Sequence, residues 1–338
     1  MVRKHKILVS VLNWNNAEIT TRCVKSIMSV YIPDDYCLDI LVIDNGSKND
    51  DFNLLKSNIL NLGVSLVRNP NNIGFAEGNN FALKYAIDNS YEYIWLVNND
   101  AVVNNTVLLE CIQMISAHPK LGGVTPCLAY EDDPCNVYFS GSRHNWVSLS
   151  LENLRPDEMY PDDCVDGAWI WATAAIYRVD ALRQTGLLNG RYFAYFEDND
   201  ISERLLKCGW TTSVCCKSVV LHSKKADIKK LRHDYYYYLV SRNYQLFFHA
   251  HTPKQFRRFL RIRLLSRALI QVKRLRAENA TNQANAALVG CIDGFFGKGG
   301  LPNIRGRPSW IGYIFYIVFE LKHLFDSAII AIKKFGSA

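Results

Sequence analysis

Apolar residues along the first hundred positions come in short blocks separated by polar clusters. Residues 6–12 (Lys-Ile-Leu-Val-Ser-Val-Leu) form a run of strand length. Residues 18–30 carry apolar positions at helical spacing. A second apolar block, 38–43, is followed by a helical stretch at 51–60, a third strand at 64–67, a helix over about 76–89 and a fourth strand at 93–97. Continuous apolar runs of this length, alternating with amphipathic helices, predict strands buried on both faces of a parallel, doubly wound sheet.

Beyond residue 120 the pattern is mixed. A strand is expected near 137–140, an apolar segment runs over 168–177, a helix covers 201–207, and a strand over 214–221 ends at His222. After 225 the chain turns helical and basic. No internal repeat is visible.

In open α/β sheets, ligands gather beyond the carboxyl ends of the strands. Those ends carry Asn13-Trp14-Asn15-Asn16, Asp44-Asn45-Gly46-Ser47, the loop from Arg68 to Gly74, and Asn98-Asn99-Asp100. Any one of these is an ordinary turn; four together predict a polar site.

Composition alters this picture little, but charge alters it considerably. With 338 residues, 49% hydrophobic and 12% aromatic, the chain is no disordered segment and has room for about two domains. Ten cysteines, with Cys215 and Cys216 adjacent and no C-x-x-C pair, have neither disulfide-scaffold density nor zinc-site spacing. A reduced, cytoplasmic chain is the expectation. The net charge of +7 conceals a division: residues 1–220 carry 18 Lys and Arg against 26 Asp and Glu, and residues 221–338 carry 21 against 6. An acidic catalytic half, 1–225, thus joins a basic half, 226–338, that calls for an anionic partner.

No acid occurs between Lys254 and Arg276. Arg263, Arg267 and Arg274 share one helical face, and Leu265, Ala268, Val272 and Leu275 share the other. With the apolar-rich stretch 310–332, this is the make-up of an interfacial membrane anchor, and an anionic membrane surface is preferred over nucleic acid as the partner. The run at 7–12 is too short for a secretory signal, and 310–319 is about half a bilayer span. The expected location is therefore peripheral, at the inner face of the cytoplasmic membrane.

Several residues carry candidate chemistry. Asp100 ends an apolar strand, where one carboxylate suffices to share a hard divalent cation with a diphosphate. In Glu197-Asp198-Asn199-Asp200, acids stand beside Phe193, Tyr195 and Phe196. Aromatic rings suit sugar faces, and a carboxylate there can accept a hydroxyl proton. The same acids would also favour a helix N-terminus, with Asp200 capping and Asp198 reacting. His222 is either structural or a metal ligand. No G-x-S-x-G elbow supports a serine nucleophile, and Gly297-Lys298-Gly299-Gly300 fits no phosphate loop. A sugar-nucleotide pyrophosphorylase would need a Gly-rich basic loop where Asn13-Trp14-Asn15-Asn16 stands.

Taken in order, Asn13-Trp14-Asn15, Asp44-Asn45-Gly46-Ser47, Arg68-Asn69-Pro70, Gly74-Phe75-Ala76-Glu77-Gly78-Asn79, Asn98-Asn99-Asp100, Glu197-Asp198-Asn199-Asp200 and Leu221-His222 closely resemble the inverting family 2 glycosyltransferases, in particular a bacterial rhamnosyltransferase-like branch. The resemblance covers about residues 5–225, with Arg242-Asn243 as a fainter echo.

The resemblance implies an α/β GT-A fold, a Rossmann-like mixed, mostly parallel sheet flanked by helices, followed here by the basic helical C-terminal extension. It also implies a dTDP- or UDP-linked sugar donor, a bound Mg²⁺ or Mn²⁺, and a lipid-linked oligosaccharide acceptor. Asp44 would read the nucleobase, and Asn13, Asn15, Asn45, Arg68, Asn72, Gly74, Asn79, Asn98, Asn99 and Arg242 would line the nucleotide and donor. Asp100 would hold the metal with His222, and Asp198 would be the catalytic base. Trp169, Trp171 and Glu197 would face the sugar and acceptor. The first position of the family's D-x-D motif is Asn98 here, which leaves one carboxylate for the metal.

Overall fold

The computed structural model describes residues 4–154, 168–223 and 231–304, together with 314 and 317. The chain divides into two compact units, Met1–Lys229 and Lys230–Ala338. The boundary expected at 225/226 and, apart from 314 and 317, the stretch 310–332 lie outside the described residues.

In the first unit β1 (His5–Asn13), α1 (Ala17–Met28), β2 (Tyr36–Asn45), α2 (Asn49–Ile59), β3 (Ser65–Asn69), α3 (Gly74–Asp88) and β4 (Tyr93–Asn98) alternate as the apolar pattern predicts. The chain continues through β5 (Ala101–Val102), α4 (Val107–Ala117), β6 (Leu121–Tyr130), β7 (Val137–Phe139), β8 (Ser142–Asn145), β9 (Ser150–Asn153), β10 (Ile176–Arg178), α5 (Val179–Thr185), α6 (Glu197–Lys207) and β11 (Thr211–His222). The main sheet has the order β3-β2-β1-β4-β10-β6-β11-β5, with β7 beside β6. β1 runs parallel to β2 and β4, and β11 parallel to β6. β10 is antiparallel to both of its neighbours, so the sheet is mixed.

Successive strand residues point to opposite faces, and each face is covered by helices. Val9, Val11, Trp95 and Val97 pack under Cys23, Val24 and Ile27 of α1 and Leu108 and Ile112 of α4. Leu8, Ile94 and Leu96 pack against Ala82, Leu83 and Ala86 of α3 and Ile201 and Leu205 of α6. This three-layer packing holds the carboxyl ends of β1, β2 and β4 in one row.

Two features differ from the sequence expectation. α6 begins at Glu197, four residues before the predicted start, so the acidic cluster forms its first turn. β6 was not predicted: Gly122, Gly123 and Pro126 punctuate it, and its pairing with β11 shifts register just after Pro126.

The second unit contains α7 (Asp234–His251), α8 (Leu260–Ala277) and α9 (Thr281–Phe295). Leu269, Val272 and Leu275 of α8 meet Ala284, Ala287 and Leu288 of α9. A Cβ on Gly290 or Gly294 would fall within 2.4 Å of the Tyr238 or Arg242 carbonyl oxygen, so glycine permits the close approach of α7 and α9. No described helix is long and apolar enough to cross a membrane.

Candidate active site

The first corner of the site lies at the ends of β1 and β2. Parallel pairing sets Asn13 opposite Asp44. Asn13 Nδ2 donates to Asp44 Oδ1 at 2.9 Å, the Ser47 amide donates to Asp44 Oδ2 at 3.2 Å, and Arg68 Nε stands 3.3 Å from the same oxygen. Asp44 is fully buried. Both of its oxygens are thus directed at protein groups, and Arg68, stacked over the Phe52 ring, supplies the counter-charge. Asn15 adopts a left-handed conformation, and its Oδ1 accepts from the Lys48 amide.

The loop after β3 is tied to β2 by asparagines. Asn45 Nδ2 donates to Asn72 Oδ1 and to the Gly74 carbonyl, and Asn69 Nδ2 donates to Asn45 Oδ1. Gly74 has φ +91°, and a Cβ there would meet the Phe193 carbonyl oxygen at 2.5 Å. Asn79 is interior, accepting from Ser10 Oγ and donating to the Phe75 carbonyl. Asn45, Asn72 and Asn79 therefore shape the pocket wall through bonds within the protein.

The second corner centres on Asp100. Antiparallel pairing of β5 with the end of β11 sets His222 opposite Ala101. His222 Nε2 lies 2.9 Å from Asp100 Oδ1, and Nδ1 lies 2.6 Å from the Tyr138 hydroxyl. The Asp100 side chain is 40% exposed and that of His222 only 5%. A hydroxyl both donates and accepts, so Tyr138 suits either imidazole tautomer. With hydrogen on Nε2, His222 donates to Asp100. With hydrogen on Nδ1, it donates to Tyr138 and turns a lone pair toward Asp100.

Asn99 Nδ2 donates to Thr20 Oγ1, which donates to Asn13 Oδ1, so a hydrogen-bonded chain connects the two corners. Among the described residues, buried Asn98 Oδ1 meets no hydrogen-bond partner.

The third corner is the first turn of α6. Phe193, Tyr195 and Phe196 all have positive φ, between 64° and 74°. Bulky residues in this region cost of order 1–3 kcal/mol each and persist where the surroundings over-determine them. Here the Phe193 carbonyl accepts from the Ala76 amide, and the Phe196 carbonyl from the Asp200 amide.

The strained turn delivers Glu197 and Asp198 into the protein. Burial raises the Asp198 carboxyl to about 6, against hydrogen bonds from the Asn199 and Ala172 amides that favour its ionised form. Glu197 is pushed up as well, first by burial and then by Asp198, and its buried Oε2 meets no hydrogen-bond partner among the described residues. Asp200 does not cap the helix. It pairs with Arg204 at 2.7 Å, and Arg204 also ties down the Thr185 and Leu187 carbonyls.

One extended segment joins the second and third corners. Trp95 Nε1 donates to the Ala174 carbonyl, the Leu96 amide to Ala175 and the Asn98 amide to Thr173, fixing residues 173–175 alongside β4. The neighbouring Ala172 amide reaches Asp198. Next to it, Trp171 stacks on Phe139 with centroids 4.0 Å apart and lies 6.2 Å from Tyr138, the partner of His222. The segment thus bonds Asp198 through the Ala172 amide and the end of β4 through Thr173 and the Asn98 amide, while Asp100 is linked to it by way of His222 and Tyr138.

Two expected residues are placed otherwise. Trp169 is 1% exposed, and its Nε1 donates to Glu203 Oε1, so it builds the interior rather than an open sugar surface. A bulky indole beside Ser142 and Glu203 has more to gain from burial than from a wet pocket. Arg242 belongs to the second unit, where its buried guanidinium donates to Asn243 Oδ1 and the Gly300 carbonyl. Of the residues without a signal in the sequence, Tyr138 and Thr20 make the connecting hydrogen bonds. A hydroxyl in a short strand or a helix carries no signal of a partner some 84 positions away.

Asp100 and His222 are the groups at this corner that could meet a divalent cation. Among the described residues no cluster of three or more metal-ligating side chains exists. One partly exposed carboxylate and one imidazole nevertheless suit a hard cation whose shell is completed by diphosphate oxygens and water. The donor set fits a shared site, not a protein-only cage.

Comparisons with known proteins bear on the family and the fold. The chain is similar to the galactofuranosyltransferase GlfT1 of Mycolicibacterium smegmatis, 24% identical over 157 residues, which is 46% of this chain and 52% of that protein. It is 34% identical over 82 residues to the N-acetylglucosaminyl-diphospho-decaprenol L-rhamnosyltransferase of Mycobacterium tuberculosis, covering 24% of this chain and 25% of the relative. The chain thus spans about half the length, or less, of the curated relatives it matches. Among solved structures, the mannosyltransferase PcManGT of Pyrobaculum calidifontis, in complex with GDP-Man and Mn²⁺, shares the fold with a TM-score of 0.55 at 13% identity, over 87% of this chain and 88% of that one. The sequence model of glycosyl transferase family 2 matches residues 8–186, more than half of the chain. With that match and a mixed α/β sheet of GT-A type, this chain belongs to glycosyl transferase family 2.

Proposed function

We propose that the chain is an inverting glycosyltransferase that moves L-rhamnose from dTDP-L-rhamnose to a hydroxyl of a lipid-linked glycan, in the biosynthesis of a bacterial surface polysaccharide such as O-antigen. One observation carries this reading: a single segment bonds Asp198 through the Ala172 amide and, through Thr173 and the Asn98 amide, the end of β4 that leads into Asp100. A donor whose diphosphate lies at Asp100 would present its anomeric carbon toward Asp198.

In this mechanism Asp198 takes the proton of the acceptor hydroxyl as that oxygen attacks the anomeric carbon. The bond to the diphosphate oxygen breaks on the opposite face, so the configuration inverts. A carboxyl poised at about 6 is mostly ionised at neutral pH yet basic enough to accept the proton. Glu197, held toward its neutral form, spares Asp198 a second adjacent charge. Asn98, at the end of β4 beside Asp100, belongs to the donor side of this reading. Trp171 and the strained Tyr195 supply apolar faces for the acceptor.

Asp100 and His222 would hold Mg²⁺ or Mn²⁺, which when bound supplies Lewis-acid stabilisation of the departing diphosphate. Asn13, Asn15, Asn45, Arg68, Asn72, Gly74, Asn79 and Asn99 frame the nucleotide side. Arg68 neutralises Asp44, so a nucleobase contact to Asp44 requires Arg68 to give way.

Acting on a lipid-linked acceptor places the protein peripherally at the inner face of the cytoplasmic membrane, with the basic half toward anionic lipid. A second reading keeps the same site and mechanism with a UDP-hexose or UDP-N-acetylhexosamine donor, and the relatives named galactofuranosyltransferases favour a hexose. A thermal-shift panel of dTDP- and UDP-sugars with Mg²⁺ and Mn²⁺ separates the two, because a ligand bound only by the folded state raises its apparent stability. Stabilisation by dTDP-L-rhamnose above all others supports the first reading. Stabilisation by UDP-sugars alone supports the second, and no response to any nucleotide overturns both.

A further inference from the structure

The start of α8 and the end of α9 carry exposed apolar side chains. Phe259 is 63% exposed, Ile262 49% and Phe296 61%. Phe259 stands in a left-handed conformation at the head of α8, and the Arg258 guanidinium lies 5.2 Å from its ring. Arg261 lies over the Phe295 ring at 5.8 Å, which brings the first turn of α8 to the last turn of α9. Three large apolar side chains therefore stand in water at one end of the helical unit, among Arg257, Arg258 and Arg261, which are also exposed.

These apolar residues are not part of the helical core. The buried face of α8 is formed by Leu260, Leu264, Ala268, Leu269, Val272 and Leu275. Ile262 projects away from that face. Large exposed apolar side chains rimmed by one sign of charge mark an interaction surface. The charge selects the partner: no acid occurs between Lys254 and Arg276, and residues 221–338 carry 21 basic against 6 acidic residues.

A nucleic acid would satisfy the arginines and leave the isolated Phe259, Ile262 and Phe296 in water. A bilayer of anionic lipid satisfies both, with guanidinium groups at the phosphates and rings at the headgroup–acyl boundary. We propose that the Phe259–Ile262–Phe296 tip, framed by Arg257, Arg258 and Arg261, is the seat by which this protein docks on an anionic membrane surface. This inference rests on the lipid-linked acceptor proposed above.

The test is flotation of the full chain with neutral phosphatidylcholine vesicles and with vesicles containing phosphatidylglycerol, at low and high salt. The wild type is expected to float with anionic vesicles only. Arg257→Gln with Arg258→Gln and Arg261→Gln removes three surface charges and should weaken partitioning on the order of a hundredfold at low salt. Phe259→Ser with Phe296→Ser should leave low-salt recruitment and abolish the fraction retained at high salt, where only inserted rings hold the protein. All five positions are exposed, and unchanged melting curves check that the variants fold.

No flotation of the wild type, equal flotation of both variants, or binding to DNA in a gel shift without vesicle binding overturns the proposal. Transfer to a water-soluble acceptor analogue keeps the two readings apart. If transfer persists while flotation fails, the membrane seat falls and the glycosyltransferase reading stands. If flotation follows the pattern and no sugar is transferred, the reverse holds.

Discussion

Replacing Asp198 with Asn should abolish transfer and, at the same time, stabilise the folded protein. The carboxyl titrates at about 6 in the fold against 3.8 in an ordinary environment, because burial disfavours its charge more than the Asn199 and Ala172 amides favour it. The folded state therefore holds the proton more tightly than the unfolded chain does. Stability associated with this group is fully present below about pH 4 and is lost as pH rises through about 6.

At about 1.4 kcal/mol per unit, ionising Asp198 costs the fold at most about 3 kcal/mol at neutral pH. Partial contact with solvent reduces this to roughly 1–2 kcal/mol. The neutral amide keeps an oxygen for the Asn199 amide, 2.8 Å away, and escapes that cost. The assay is thermal or urea unfolding of both proteins between pH 4 and 8. The Asn variant should match the wild type near pH 4 and exceed it above pH 6 by roughly 2–6 °C in Tm. A variant less stable at every pH, or a gap that does not change with pH, would refute the claim that this carboxylate is desolvated.

Three further outcomes follow from the geometry. Asp100→Ala should lower Mn²⁺ affinity by at least tenfold when a nucleoside diphosphate is present, measured by calorimetry; unchanged affinity places the metal elsewhere. Tyr138→Phe removes the hydroxyl that orients His222 and should weaken Mn²⁺ binding about 10–100-fold while metal-free nucleotide binding is unaltered; equal loss of both would indicate a merely structural tyrosine. Gly74→Ala forces a Cβ against the Phe193 carbonyl at positive φ and should destabilise the fold by about 1–3 kcal/mol in urea titration, an effect that a wild-type midpoint would contradict.

The alternation of β1 to β4 with α1 to α3 was legible because both faces of those strands are buried, which writes uninterrupted apolar runs into the sequence. The polar clusters at their ends were legible for the same reason: each begins where burial stops. β6 was not, since Gly122, Gly123 and Pro126 read as turn residues, and only pairing with β10 and β11 makes them a strand. The acids of α6 were found by composition, yet their placement depends on three left-handed aromatic residues, a conformation no local preference announces.

Trp169 and Trp171 differ by two positions and have opposite fates. One donates to Glu203 inside the fold, and the other stacks on Phe139 beside Tyr138. Nor does the sequence show that Arg68 would neutralise Asp44, because that contact depends on the register of β2 with β3.

Whether the Asp198 carboxylate takes the acceptor's proton is read from the single-turnover rate of sugar transfer by Asp198→Asn at saturating donor. Positioned bases contribute typically 10²–10⁴-fold, so the rate should fall by at least a hundredfold with nucleotide affinity within a few-fold of wild type. A variant that transfers sugar at the wild-type rate would contradict that role.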